Sequence, residues 1–163
     1  MHEVYIGIGT NIEPRRERMQ QAIDSLRHIG MLEKMSSIYE TEPYGYIDQA
    51  KFLNAVVLLH TDLRLDRVHY DLKILEKKLG RTERLRWHER EIDFDVLFYD
   101  DVVLNSIVLT VPHKELQNRS FVLVPLNEIA SNFIHPVLKK KIASLLEELE
   151  FDKDSIYPIE KTS

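Results

Sequence analysis

The sequence contains no cysteine and is poor in glycine, proline and tryptophan, with five, six and one of them among 163 residues. The absence of cysteine excludes a disulfide framework and any chemistry that depends on a thiolate. No apolar run approaches the ~18 residues that a membrane-spanning helix needs. The first ten residues, MHEVYIGIGT, lack the basic segment of a secretion signal. We therefore expect a cytoplasmic protein without a membrane partner.

An excess of positive charge is also missing. Lysine and arginine number 22 against 27 aspartates and glutamates, so the net charge is −5. A general binder of nucleic acid or of anionic membranes needs the opposite balance, and both classes are disfavoured. The chain is long enough for a substantial core, and no repeat or linker interrupts it. We expect a single domain over residues 1–163 that acts as a monomer.

Hydrophobic periodicity predicts an α+β fold. Predicted strands are VYIGIG, LEKMSSIYET, KFLNAVVLLHT and EIDFDVLFYD, and predicted helices are TNIEPRRERMQQAIDSLRHIG and RLDRVHYDLKILEKKLG. We expect Thr10 or Asn11 to cap the first helix and Gly80 to end the second. The order β-α-β-β-α-β is that of a ferredoxin-like sandwich. The rest of the chain adds a hairpin, a short strand and a last helix: DDVVLNSIVLTVPH, FVLVPLNEIA and LKKKIASLLEELE.

The fourth predicted strand carries two acidic residues close together. Alternation puts Asp93 and Asp95 on one face with Leu97 and Tyr99, and it puts four apolar residues on the other: Ile92, Phe94, Val96 and Phe98. Paired carboxylates can bind Mg²⁺, which prefers oxygen ligands and often shares them with substrate phosphates. Two such ions can stabilise a phosphoryl transfer. The alternative is a solvated edge with two surface acids.

An arginine-rich segment, GRTERLRWHER, directly precedes the acidic strand. It contains Arg81, Arg84, Arg86 and Arg90. The planar guanidinium group suits phosphate oxygens because it donates two parallel hydrogen bonds and is always charged. Trp87 lies among these arginines, where an aromatic ring could cover a planar substrate. The interleaved glutamates also fit a solvated run of charges.

Two further segments contain candidate ligand contacts. Phe52 and Asn54 share one face of the third predicted strand, and an aromatic beside an amide suits a heterocycle. His113, Arg119 and Phe121 follow one another in TVPHKELQNRSFVLVPL. Taken singly, each of these residues also fits a core or surface position.

In this order and spacing the segments YIGIGTN, YETEPYG, FLNA, REIDFDVLFY and TVPHKELQNRSFVLVPL resemble the 6-hydroxymethyl-7,8-dihydropterin pyrophosphokinases of the folate pathway. The resemblance covers roughly residues 3–148, and its specific part is R-W-x-x-R-x-I-D-x-D followed by V-P-H-x-x-x-x-x-R-x-F. It implies a ferredoxin-like fold and transfer of the terminal pyrophosphoryl group of ATP to the hydroxymethyl group of the dihydropterin, giving AMP. ATP is then the co-substrate, and two Mg²⁺ ions are the cofactors.

The resemblance also implies roles for individual residues. Those matching the family's catalytic positions are Arg81, Arg90, Asp93 and Asp95, of which Asp93 and Asp95 are also the metal ligands. Those matching the pterin site are Thr41, Pro43, Tyr44, Phe52, Asn54, Trp87 and Phe121. Those matching the nucleotide side are Glu76, His113 and Arg119.

Three other functions fit parts of the pattern. A two-metal nucleotidyl transferase or cyclase can place paired carboxylates on the same fold, but it predicts no heterocycle pocket beside them. An RNA-binding module needs several exposed aromatics and a basic surface. A catalytically inactive ligand sensor would not need both the acids and the arginines. Formation of AMP, rather than ADP or pyrophosphate, separates these possibilities.

Overall fold

The computed structural model describes residues 1–42, 50–80 and 91–160. Eight strands and four α-helices lie within these ranges. In order they are β1 (His2–Thr10), α1 (Arg15–Ser25), β2 (Met31–Met35), β3 (Ile38–Thr41), β4 (Phe52–Thr61), α2 (Leu65–Lys78), β5 (Asp93–Tyr99), β6 (Leu104–Asn105), β7 (Thr110–Val111), α3 (Ser120–Ala130), α4 (Ile142–Glu148) and β8 (Ile156–Glu160).

One six-stranded antiparallel sheet organises the molecule. Its strands lie in the order β5-β1-β4-β3-β8, and β2 also pairs with β4. Helices α1 and α2 pack on one face of the sheet, and α3 and α4 pack on the other. The predicted α+β, ferredoxin-like fold is confirmed, and so are the added hairpin, formed by β6 and β7, and the last helix. The second predicted strand is divided into β2 and β3.

The first helical layer follows the predicted apolar spacing. Helix α2 buries Val68, Leu72 and Leu75, one face at helical period. It ends as predicted, since Gly80 follows with a φ of +93°, a conformation that costs glycine little. No helix among the described ranges is long and apolar enough to cross a membrane.

The segment FVLVPLNEIA is helix α3, and the prediction of a strand there is wrong. A short apolar run does not distinguish a buried strand from a buried helix. The residues that α3 buries against the sheet include Val122, Leu126 and Ala130, which recur every fourth position. Packing of this face onto β4 and α4 outweighs the unfavourable Pro125 inside the helix.

A β-bulge in β5 reverses part of the predicted alternation. Tyr5 pairs with Phe98 and the next β1 residue pairs with Val96, so Leu97 is the extra residue. Phe98 therefore joins Leu97 in the layer of α3 and α4, and Tyr99 turns into the layer of α1 and α2. The predicted faces of Phe98 and Tyr99 are wrong. The two aspartates precede the bulge and keep their shared face.

The start of α1 also differs from the prediction. The helix begins at Arg15, and neither Thr10 nor Asn11 caps it. Thr10 is the last residue of β1, and its hydroxyl donates to the Glu91 carbonyl. The Asn11 side-chain amide donates to the Ala50 carbonyl at 3.1 Å. Both side chains instead fix the segments that lead into β5 and β4.

Strand β8 was not predicted from the sequence. It pairs with β3, with Thr41 opposite Ile156, and the backbone N–H of Glu42 donates to the Ser155 carbonyl at 3.1 Å. The Tyr157 hydroxyl donates to the Glu40 carboxylate. Strand β8 therefore covers the edge of β3.

Candidate active site

Asp93 and Asp95 lie half-buried at the start of β5, on the sheet face that α3 covers further along. Burial, and then the neighbouring charge of Asp93, raise the pKa of Asp95 to about 8, while Lys73 and Arg119 act in the opposite direction. The Asp95 side chain is 40% exposed, so water screens part of this cost. The pair is a site of negative charge that a cation would stabilise.

A row of paired residues crosses the sheet from the acids. Gly9 pairs with Asp93 on one side and with Asn54 on the other, and Asn54 pairs with Tyr39. A Cβ atom on Gly9 would lie 3.0 Å from Asn54 Nδ2 and 3.7 Å from Phe52 Cδ1. Gly9 is buried, and its lack of a side chain leaves room for the Asn54 amide beside the acids.

The Asn54 amide is held in one orientation. Its Oδ1 accepts a hydrogen bond of 2.6 Å from the Thr41 hydroxyl, and both residues are buried. Its Nδ2 is turned towards Gly9. An amide fixed in this way has its oxygen occupied and keeps its N–H donors for a ligand. The half-buried ring of Phe52 lies at the same end of the sheet.

The segment that leads into α3 lies above this surface. The His113 backbone N–H donates to the Leu97 carbonyl at 3.0 Å, and His113 Nε2 is 3.9 Å from Asp95 Oδ1. Burial, followed by the charge of Arg119, lowers the pKa of His113, so its imidazole is uncharged near neutral pH. The Arg119 guanidinium lies 5.8 Å from the centre of the Phe121 ring, at the start of α3.

Glu76 approaches β5 from the opposite helical layer. Its Oε2 accepts a hydrogen bond of 2.8 Å from the backbone N–H of Phe94, the residue between the two aspartates. Its Oε1 is 3.4 Å from the Lys73 ammonium. Glu76 is 3% exposed, and these contacts fix the outer edge of β5. The nucleotide contact predicted for it stays a prediction.

A cleft of about 650 Å³ opens between α2 and the β6–β7 hairpin. It combines cationic, aromatic and aliphatic side chains, namely Arg64, Leu65, Asp66, His69, Tyr70, Lys73, Leu104, Ser106, Val108 and Leu109. The sequence reasoning missed this cleft. The sequence feature that could have indicated the cleft is the spacing of Lys73 and Glu76, one helical turn apart. That feature is informative only once the fold shows that Glu76 is buried.

The predicted site residues are only partly within the described ranges. One end of the sheet and the segment above it bring together Thr41, Phe52, Asn54, Asp93, Asp95, His113, Arg119 and Phe121. Pro43, Tyr44, Arg81, Trp87 and Arg90 lie outside the described residues.

Comparison with known proteins gives consistent results. A family model described as 7,8-dihydro-6-hydroxymethylpterin-pyrophosphokinase matches residues 5–131. The 2-amino-4-hydroxy-6-hydroxymethyldihydropteridine pyrophosphokinase of Aquifex aeolicus is 38% identical over 148 residues, which cover 91% of this chain and 92% of that protein. The protein of the same name from Bacillus subtilis is 41% identical over 127 residues, 77% of this chain and 76% of that one.

Solved structures agree on the fold. The crystal structure of Plasmodium falciparum HPPK-DHPS with pteroate has a TM-score of 0.72 at 16% identity, and the match covers 90% of this chain and 42% of that longer one. Family match and relatives together identify the reaction as ATP-dependent transfer of a pyrophosphoryl group to hydroxymethyldihydropterin in folate biosynthesis. The chain therefore belongs to the 7,8-dihydro-6-hydroxymethylpterin-pyrophosphokinase family.

Proposed function

We propose that Asp93 and Asp95 bind two Mg²⁺ ions together with ATP, and that the products are AMP and the pterin diphosphate. The observation that carries this proposal is the row Asp93–Gly9–Asn54, in which a single glycine separates an acidic pair from a fixed amide. One end of the row suits metal-bound phosphates, and the other suits a heterocycle.

The donor set fits magnesium. The two carboxylates lie on one strand face and repel each other, and burial further destabilises their charged form. A bound cation would offset both effects. Within the described ranges, no group of three or more histidines or acids is arranged to hold a metal. Magnesium commonly takes one or two carboxylates and completes its shell with phosphate oxygens and water. When bound, it neutralises charge on the phosphates.

ATP fits the cleft between α2 and the β6–β7 hairpin. Lys73 lines this cleft and lies 3.4 Å from Glu76, which in turn accepts the backbone N–H of Phe94 between the two acids, so one end of the cleft lies near the acids. We propose that the triphosphate occupies that end, within reach of His113 and Arg119. The adenosine then lies among the apolar side chains, including Leu109. Glu76 holds β5 in place beside the triphosphate end through its hydrogen bond to the Phe94 backbone.

The pterin fits the surface at the other end of the row. We propose that Asn54 donates to a heteroatom at the edge of the pterin ring, with Thr41 fixing the amide, and that Phe52 and Phe121 provide aromatic contacts. The family pattern supports the same role for three residues outside the described ranges: Pro43, Tyr44 and Trp87.

The reaction requires an in-line attack of the hydroxymethyl oxygen on the β-phosphorus of ATP. The bond from that phosphorus to the oxygen bridging the α- and β-phosphates breaks, the hydroxyl proton passes to solvent, and AMP leaves. Asn54 and Phe121 orient the attacking group, which removes much of the entropic barrier. Negative charge grows on the leaving oxygen, and we propose that Arg81 and Arg90 donate hydrogen bonds to it while Arg119 contacts the nucleotide phosphates.

We also propose that residues 1–163 act as one domain and as a monomer in the cytoplasm. The described site residues come from one sheet and the segments packed on it, so a second chain is not needed to complete this part of the site. The requirement for ATP favours the cytoplasm. Light scattering of the enzyme at assay concentration measures the oligomeric state directly.

Product analysis tests the proposed reaction. The protein is incubated with ATP, Mg²⁺ and 6-hydroxymethyl-7,8-dihydropterin, and AMP and pterin diphosphate are expected in equal amounts. Addition of EDTA should stop their formation. Release of ADP would indicate transfer of one phosphoryl group, and release of pyrophosphate would indicate nucleotidyl transfer. Either result contradicts the proposal.

Phe121→Ala is expected to raise the dissociation constant of the pterin about three- to tenfold, because a stacking contact is worth on the order of 1 kcal/mol. The affinity for Mg²⁺–ATP should stay near that of the wild type. Calorimetric titration of each ligand alone measures both. Phe121→Leu keeps apolar volume without a ring, and its dissociation constant for the pterin should lie between those of the wild type and Phe121→Ala. Equal weakening of both ligands would show that Phe121 serves the core instead.

A further inference from the structure

Glu128, near the end of α3, accepts three hydrogen bonds from the sheet. Its Oε1 accepts from the backbone N–H of Ser37 at 2.9 Å and from the Tyr39 hydroxyl at 2.8 Å. Its Oε2 accepts from the Ser37 hydroxyl at 2.8 Å. Tyr39 belongs to β3, and Ser37 directly precedes that strand. One carboxylate therefore ties α3 to β3.

The two elements that Glu128 joins carry opposite sides of the proposed pterin site. Phe121 lies two helical turns before Glu128, on the same face of α3. Tyr39 pairs with Asn54 across the strands, and Thr41 on the same strand orients the Asn54 amide. A helix moves as a rigid rod over two turns, so a shift at Glu128 also shifts Phe121 relative to Asn54.

We infer that Glu128 is a positioning residue for the pterin, setting the distance between the Phe121 ring and the Asn54 amide. This inference rests on the proposed pterin site. Glu128 need not touch the ligand, since it acts through α3 on one side and through β3 on the other.

The chemistry of the contact suits such a role. Hydrogen bonds to an ionised carboxylate are shorter and stronger than those between neutral groups, and three of them restrict both sliding and tilting of the helix. Burial, and then the hydrogen bond to Glu128, raise the pKa of Tyr39 to about 12, so its hydroxyl stays a donor throughout the neutral range.

The test compares Glu128→Gln with the wild type in calorimetric titrations, steady-state kinetics and thermal melts. The expected result is a rise of about tenfold in the dissociation constant and KM of the pterin, since small misplacements of binding groups have effects of this size or larger. The dissociation constant of Mg²⁺–ATP should change by a clearly smaller factor, because α2 and the β6–β7 hairpin line the ATP cleft and α3 contributes to the nucleotide side only through Arg119 at its N-terminus.

A matched control is available in the same helical layer. Glu148 on α4 accepts two bonds from Lys140, at 2.9 and 3.0 Å. Glu148→Gln removes a carboxylate tether there, and it should leave the affinities of both ligands unchanged. If Glu128→Gln and Glu148→Gln behave alike, or if Glu128→Gln weakens both ligands equally, Glu128 has only a structural role and the inference is wrong.

Two milder variants keep the test decisive if Glu128→Gln fails to fold. Tyr39→Phe and Ser37→Ala each remove a donor to Glu128, and each should give a smaller rise in the pterin dissociation constant. In the Glu128→Gln background they should add little. If Phe121→Ala weakens pterin binding and none of these variants does, only the role of Glu128 is refuted. If Phe121→Ala has no effect either, the proposed pterin site itself is wrong.

Discussion

Asp95→Asn is expected to lower the rate of AMP formation about a thousandfold, the upper end for loss of a single electrostatic group in an active site. The amide keeps the shape of the side chain but removes one of the two charges proposed to hold Mg²⁺ with ATP. Pterin binding alone should survive, because the Asn54 end of the row is unchanged. Activity above about a tenth of the wild type, a barrier change below ~1.4 kcal/mol, would exclude Asp95 as a metal ligand.

The same substitution should raise the melting temperature when divalent metal is absent. The folded pKa of Asp95 is about 8, above the ordinary value of 3.8. Between these values the folded state holds a proton that the unfolded state has lost, so Asp95 lowers stability progressively as the pH rises. The amide introduced by Asp95→Asn does not titrate in this range, so the variant has no such cost.

Thermal melts in EDTA at pH 5 and pH 8 measure this effect. The increase in melting temperature caused by Asp95→Asn should be larger at pH 8 than at pH 5. The control for the loss of one carboxylate is Asp62→Asn, at an exposed position in the turn between β4 and α2. A gain for Asp95→Asn that is equal at both pH values would mean that the Asp95 carboxylate is not destabilised in the fold.

Gly9→Val is expected to reduce kcat/KM for the pterin about a hundredfold, through displacement of groups on the pterin surface. Even a Cβ atom at this position would lie 3.0 Å from Asn54 Nδ2, and valine adds two methyl groups to the surface between Asn54 and the acids. The fold should persist, since β-branched residues suit strands. Affinity for Mg²⁺–ATP, titrated alone, should change far less than pterin affinity.

The neighbouring glycine provides the control. A Cβ atom on Gly7 would meet the Leu97 side chain at 3.6 Å, an ordinary contact. Gly7→Ala should therefore leave pterin affinity near that of the wild type, while Gly9→Ala should weaken it to a value between the wild type and Gly9→Val. If both alanine variants bind pterin normally, the space beside Gly9 is not part of the pterin site.

Much of the first helical layer could be predicted because its signals are local. The apolar period of α2 and the glycine after it act within a few residues, and both are confirmed. The strand with Asp93 and Asp95 was predicted for the same reason. Helix α3 was not, since a run such as FVLVPL satisfies both strand and helix patterns until its packing partner is known.

The missing parts of the candidate site depend on which strands pair and in what register. The bond from Thr41 to Asn54 follows from the pairing of β3 with β4, two strands separated by a long connection. Glu128 contacts Ser37 and Tyr39 from far along the chain. For an isolated glutamate on an apolar helix, no sequence feature indicates which residues donate hydrogen bonds to it. The role of Glu128 is therefore visible only in the fold.

Strand β8 determines the order in which the molecule can be completed during synthesis. The outer edge of β3 stays open until residues 156–160 have left the ribosome, and an open edge can pair with a strand of another chain. The cleft between α2 and the β6–β7 hairpin needs none of these residues. A nascent chain stopped before β8 is thus expected to have formed the cleft proposed for ATP. The edge of β3, beside the proposed pterin site, would remain unprotected and prone to aggregation.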